Sequence, residues 1–161
     1  MVKYVVVDLD GTVADCTHRL HFINGETKDW KGFHEACKDD KPIMSMIDMV
    51  RALNERYYYV IFLTGRSELA RNVTQEWLQA NNLWNYDDLI MRPLEDHRHD
   101  SVVKLEMLNN YIRTNLNDDK EIEFALCAKD LIYQTRLYIE TLYFRKDLPF
   151  VKELFQGFDY C

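Results

Sequence analysis

The chain has 161 residues, of which 47% are hydrophobic and 29% charged, the balance of a soluble globular domain rather than a disordered chain. Its formal net charge of −7 disfavours broad adhesion to a nucleic-acid backbone, which calls for a basic face, but leaves room for a local basic pocket around one phosphate. No apolar run reaches membrane-spanning length. Four scattered cysteines (Cys16, Cys37, Cys127, Cys161) form no Cys-x-x-Cys pair, which argues against a zinc site and for reduced thiols in a cytoplasmic setting. The first residues run straight into a strand pattern, so no targeting segment is expected.

The first strand is predicted over residues 3–9, where Tyr4 to Val7 is apolar without alternation, as suits a central parallel strand covered on both faces. Residues 13–41 are polar and irregular, with Trp30, Phe33 and His34 on a short helix after Asp29. Pro42 is read as opening a helix whose apolar positions Ile43, Met46, Ile47, Met49, Val50 and Leu53 recur at helical spacing. A second strand over residues 57–63 ends in Thr64-Gly65-Arg66, and a helix is expected from Ser67 to Asn81. Residues 88–91 read as a third strand and residues 92–100 as a polar loop. A helix follows from Ser101 to Asn115, then a fourth strand over residues 123–128 and a helix over residues 130–145. A fifth, edge strand is placed at residues 151–155. Strands alternating with helices predict a single α/β domain over residues 1–161 around a central parallel sheet, with a small flap at residues 14–41.

The strand ends carry the chemistry. Asp8 and Asp10 leave the first strand on the same side, and Gly11 allows the sharp turn that follows. Two crowded carboxylates repel each other unless a cation or a shared proton relieves them, so the pair suggests a divalent metal site with one carboxylate free as nucleophile. An attack on phosphorus explains each part. Asp8 would form an aspartyl-phosphate, and Asp10 would protonate the leaving oxygen and then deprotonate water. The Thr64 hydroxyl and the Gly65 amide would hold phosphoryl oxygens, while Lys104 offsets charge on Asp8 and on the phosphoryl group. A Mg²⁺ ion suits the site because it needs few protein ligands and keeps several waters.

At this point the chain resembles the haloacid dehalogenase superfamily of phosphohydrolases: Asp8-Leu9-Asp10-Gly11-Thr12 matches its first motif, Thr64 its second and Lys104 its third. More narrowly it is similar to 3′-phosphatase domains of polynucleotide kinase-phosphatases and their small phage and bacterial relatives. That likeness is carried by Thr64-Gly65-Arg66, Arg71-x-x-Thr74-x-x-Trp77-Leu78, Met91-Arg92-Pro93 and Asp96-x-Arg98-x-Asp100-x-Val102-Val103-Lys104-x-Glu106. The resemblance implies a Rossmann-like three-layer α/β sandwich and Mg²⁺-dependent phosphomonoester hydrolysis, with Asp8 and the Asp10 backbone carbonyl on the metal. It also exposes a departure. The family's fourth motif ends its strand in acids, where this chain has Cys127 and Ala128, neither a natural Mg²⁺ ligand. Asp130, a few residues on, is the candidate that completes the metal site.

Substrate choice falls to the loops. The segment between the first two strands is too short for a large cap, and an open site admits a polynucleotide end or a mononucleotide. His18 and Arg19 are candidate phosphate contacts there, and a ring among Trp30 and Phe33 either stacks on a base or packs the flap onto the body. Arg66, Arg92 and Arg98 are candidates for a basic rim, with Asp96, Asp100 or Glu106 as alternative structural counter-ions. No phosphate-binding Gly-x-x-x-x-Gly-Lys-Ser/Thr loop occurs, so a kinase half is not expected. The expected activity is removal of phosphate from a nucleotide or a nucleic-acid 3′ end. Its rivals are a phosphatase of small non-nucleotide metabolites and, given Cys127 and Ala128, an impaired nucleotide- or phosphate-binding protein.

Overall fold

A computed structural model describes residues 2–116 and 120–126. In chain order its elements are β1 (Val2–Val7), β2 (Ala14–Asp15), α1 (Trp30–Glu35), β3 (Lys41–Pro42), α2 (Met44–Glu55), β4 (Tyr59–Ser67), α3 (Arg71–Ala80), β5 (Asp88–Arg92), α4 (Asp100–Asn115) and β6 (Lys120–Leu126). The main sheet has the order β5-β4-β1-β6 and every described pairing in it is parallel. After β1 the chain adds β4 and then β5 on one side, and β6 returns to the other. β1 therefore lies at the reversal of strand order, where parallel sheets open a crevice at their carboxyl ends.

Alternation along β1 sorts its side chains between two cores. Val5 and Val7 join Val60, Phe62, Ile47, Val50, Trp77 and Leu78, so α2 and α3 cover one face. Val6 and Leu63 meet Leu108 of α4 on the other, with Met107, Ile112, Ile90 and Ile122 around them. Helix layers on both faces of a parallel sheet make the architecture the α/β domain that the alternation of elements predicted and the Rossmann-like sandwich that the resemblance implied.

Several boundaries differ from the sequence reading, among them β6, which runs from Lys120 to Leu126 where residues 123–128 were expected. β1 stops at Val7, so Asp8 and Leu9 lie beyond the strand. Pro42 does not open α2: with Lys41 it pairs antiparallel with Ala14 and Asp15, and the helix begins at Met44. A proline lacks the N–H that a central strand needs but fits a two-stranded edge ribbon, and Ile43 then donates its N–H to the Val13 carbonyl at 2.9 Å. β4 runs on through Thr64, Gly65 and Arg66 to Ser67, whose hydroxyl accepts from the Leu69 N–H and caps a 3₁₀ turn, Glu68–Ala70. α3 starts only at Arg71. The β2–β3 ribbon is the neck of the segment that holds α1 and two 3₁₀ turns, Thr17–Phe22 and Ala36–Asp39. The helix expected at residues 130–145 and the strand at residues 151–155 lie outside the described residues, as do Cys127, Ala128 and Asp130.

Leu78 is fully buried on the inner face of α3, whereas its neighbour Gln79 is exposed. Leu78→Ala is expected to lower unfolding free energy by about 2–5 kcal/mol, and Gln79→Ala to change it by no more than about 0.5 kcal/mol. Urea unfolding of the two variants checks this.

Candidate active site

Asp8 follows the last residue of β1 directly and is 1% exposed. Its Oδ1 accepts the Leu9 N–H at 2.9 Å and the Lys104 ammonium at 2.8 Å. Lys104 lies one turn into α4, buried, with its Nζ also 2.9 Å from Asp100 Oδ2. Burial pushes the Asp8 carboxyl up to about 6, against the opposing pull of Lys104. Burial likewise disfavours the charged lysine, but Asp8 and Asp100 outweigh it and hold Lys104 protonated above the ordinary lysine range. At neutral pH the site thus presents a dry carboxylate with a fixed cation beside it.

Asp10 is held differently. Gly11 follows it at φ +81°, and the N–H groups of Thr12, Val13 and Ala14 all turn back onto the Leu9 carbonyl. This turn faces Asp10 toward two guanidinium groups. Its Oδ1 accepts from Arg19 Nη2 at 2.6 Å and from Arg66 Nη2 and Nε at 2.6 and 3.0 Å. Burial works to raise the Asp10 pKa, but Arg66 and then Arg19 overcome it and keep the carboxyl below its usual range.

Behind the arginines stands Asp40, which no motif had marked. Its carboxylate accepts from Arg19 Nε at 2.7 Å and Nη2 at 2.8 Å, and from Arg66 Nη2 at 2.6 Å. His18 Nε2 lies 2.9 Å from the same group, and the Asp40 backbone carbonyl accepts the Trp77 indole N–H at 2.8 Å. Asp40 sits in the run Lys38-Asp39-Asp40-Lys41, which reads as solvated loop. The available signal is its place just before the Lys41-Pro42 ribbon.

Thr64 stands two residues beyond Phe62, the β4 partner of Val7, so β4 carries it past the end of β1. The β4–β5 register then shifts between Thr64 and Ser67, a bulge that re-aims the side chains between them. It turns Arg66 inward to Asp10. Gly65 is needed here because a Cβ would collide with the Asp100 carboxylate. Asp100 in turn accepts Arg92 Nη2 at 2.7 Å, and Arg92 Nε donates to the Gly65 carbonyl at 3.0 Å.

The structure therefore brings Asp8, Asp10, Thr64, Gly65 and Lys104 to one end of the sheet. It corrects the placement of three arginines. Arg19 and Arg66 are 0% and 1% exposed and bind Asp10 and Asp40, so Arg19 is not presented as an open phosphate contact nor Arg66 as part of an open rim. Arg98 is exposed, but its guanidinium is engaged by Asp96 at 2.6 Å and Glu106 at 2.7 Å. His18 contacts Asp40 while keeping part of its ring open to solvent.

A family model described as the polynucleotide kinase PNKP phosphatase domain matches residues 2–123. The chain belongs to this family. It is accordingly a phosphatase-type domain of the haloacid dehalogenase class. A relative from Autographa californica nuclear polyhedrosis virus, named "Putative bifunctional polynucleotide kinase/RNA ligase", is 32% identical over 116 residues. The match takes in 71% of this chain but 15% of the relative's length. Among solved structures, a chain of a Pnkp1/Rnl/Hen1 RNA repair complex superposes with TM-score 0.67 at 24% identity, covering 86% of this chain and 40% of that one. A second chain from a Pnkp1/Rnl/Hen1 complex gives TM-score 0.65 at the same identity, with 43% of its length covered. At that identity the likeness establishes the fold.

The donor set suits a small, hard cation in part. Among the described residues, the hydrogen bonds given to Asp8 and Asp10 fall on Oδ1 of each and leave both Oδ2 atoms for a ligand. Among the described residues no group of three or more metal-ligating side chains converges, so Asp8 and Asp10 are the available carboxylates and water would complete the shell.

In the metal-free protein one aspartate is expected to titrate near pH 6, and Asp8→Asn should remove that transition. Lys104→Met should move it upward by about 1–3 units, because an attractive cation is lost. Carbon-detected NMR of the carboxyl groups measures both.

Proposed function

We propose that the chain is a Mg²⁺-dependent phosphomonoester hydrolase that works through an aspartyl-phosphate and takes a nucleotide or nucleic-acid 3′-phosphate end as substrate, in a cytoplasmic setting. One observation carries the reading: a desolvated carboxylate, Asp8, paired with buried Lys104 at the carboxyl end of the central strand, next to a second carboxylate clamped by two arginines. The family supports phosphatase chemistry on polynucleotides.

Asp8 is the nucleophile. Its free Oδ2 attacks phosphorus in line with the leaving oxygen, forming a P–O bond to the carboxylate as the ester P–O bond breaks. Lys104 holds Oδ1 throughout and limits rotation of the attacking group. Thr64 Oγ and the Gly65 amide lie at the end of the neighbouring strand, where they would meet phosphoryl oxygens. Asp10, fixed by its Oδ1, has Oδ2 free to pass a proton to the leaving alkoxide and later to take one from the water that releases phosphate. The arginine clamp favours the Asp10 anion, which fits the second step. In the first step an incoming phosphate dianion opposes the arginines and restores affinity for the proton. Asp8 and the Asp10 backbone carbonyl would hold Mg²⁺, with Asp130 as a further candidate ligand, and the ion would neutralise charge on the phosphoryl group.

The test is a panel of 3′-phosphorylated oligonucleotides, mononucleotides and sugar phosphates with and without Mg²⁺. Base-bearing esters should turn over, chelation should stop them, and Asp8→Asn should lower kcat by about 10³-fold or more. Turnover of sugar phosphates alone would replace the nucleic-acid reading with the metabolite one. Nucleotide binding without turnover in the natural protein would make it a binder, as the Cys127-Ala128 departure suggests.

A further inference from the structure

Trp30 opens α1 with 46% of its surface exposed, although the same helix is tied to the phosphate site one turn further on. Phe33 is buried, its carbonyl accepts from Arg19 Nη1 at 3.4 Å, and the Arg19 guanidinium lies 4.2 Å from its ring centroid. The same arginine binds Asp10 at 2.6 Å. The Trp30 ring meets Phe33 edge-on at 6.0 Å and lies nearly parallel to His34, with 27° between planes and centroids 6.3 Å apart. Burial, and after it the Arg19 charge, hold the His34 imidazole below its ordinary range. α1 also packs on the Glu68–Ala70 turn that follows the Thr64–Arg66 end of β4. Trp30 and His34 therefore form an aromatic shelf joined through Phe33 to Arg19 of the Asp10 clamp.

Packing accounts for Phe33 but not for Trp30. Phe33 is buried, and Gly32 comes so close to the Phe22 ring that a Cβ would collide with it, so α1 is held within its segment without the tryptophan. What lies over the tryptophan is the head of Lys28, an exposed and flexible side chain with Nζ 5.5 Å from the ring centroid. The other strongly exposed rings, Tyr57 and Trp84, precede β4 and β5 at the opposite end of the sheet, away from any phosphate chemistry. Of the exposed rings named here, Trp30 is the one linked to Asp10, through Phe33 and Arg19.

We propose that Trp30, backed by His34, is the stacking platform for the nucleobase that carries the scissile 3′-phosphate. The base replaces the Lys28 head over the ring, and Lys28 turns to the adjoining phosphodiester of a polynucleotide. Stacking of this kind accepts any base, because every base offers a π-face. This inference rests on the nucleotide-directed reading above and names how that substrate is held.

The test is steady-state kinetics of the natural protein, Trp30→Ala, Trp30→Phe and Lys28→Gln, with thermal melts to confirm folding. Four esters are compared: a 3′-mononucleotide, a 3′-phosphorylated oligonucleotide, the same oligonucleotide with an abasic terminal sugar, and glycerol phosphate. Trp30→Ala is expected to raise KM about tenfold or more on both base-bearing esters, with kcat nearly unchanged and with no effect on the abasic or glycerol esters. Trp30→Phe should restore most of the loss. Lys28→Gln should raise KM for the oligonucleotide but not for the mononucleotide. Equal effects on base-bearing and abasic ends, or none, would overturn the platform alone. A natural protein that hydrolyses glycerol phosphate but no base-bearing ester would overturn the substrate reading and the platform with it.

Discussion

The two arginines shared between Asp10 and Asp40 are the constraint on which the site depends. Each is a full charge taken out of water, at a cost of several kcal/mol that good geometry must offset. Arg19 and Arg66 meet this with charge-assisted bonds of 2.6–3.0 Å to two carboxylates at once. Removing one member of such a buried set typically costs about 3–5 kcal/mol, because the partners left behind stay desolvated. The network therefore fixes Asp10 and the shape of the surrounding loops together.

The fold supplies its four members from four separate devices. Asp10 comes from the glycine turn after β1, Arg19 from the Thr17–Phe22 turn, Asp40 from the end of the Ala36–Asp39 turn, and Arg66 from the bulge in β4. The β2–β3 ribbon brings the two ends of the intervening segment together, so that Arg19 and Asp40 arrive at the same place. Lys104 and Arg92 then pair with Asp8 and Asp100, and the inner site has cations matched to anions. A phosphate dianion has little net charge to attract it to such a balanced site. A divalent cation entering with it preserves the balance, which is a physical reason for metal dependence that does not invoke a third carboxylate.

Much of this was legible in the sequence. The unbroken apolar run before Asp8 marks a buried parallel strand, and the order Asp8-x-Asp10, Thr64, Lys104 on alternating elements marks a phosphoryl-transfer site. The arginines were harder. Sequence shows where a charge is but not which counter-ion faces it, and Asp40 lies in a charged run that reads as solvent-exposed loop. Arg19 and Arg66 were therefore expected to face substrate when they face Asp40 and Asp10. Pro42 misled for a related reason, since proline suits the first turn of a helix and an edge ribbon equally well locally. Only the pairing with Ala14, decided by tertiary structure, separates the two.

The central claim is that Asp8 carries the phosphoryl group covalently. The most direct measurement is to quench the protein with acid during turnover of a 3′-phosphorylated substrate, reduce the acyl-phosphate with borohydride, and locate the product by peptide mass spectrometry. Homoserine at position 8, absent without substrate, is the predicted result. Continued turnover with no modification at position 8, or with reduction at another carboxylate, would contradict it.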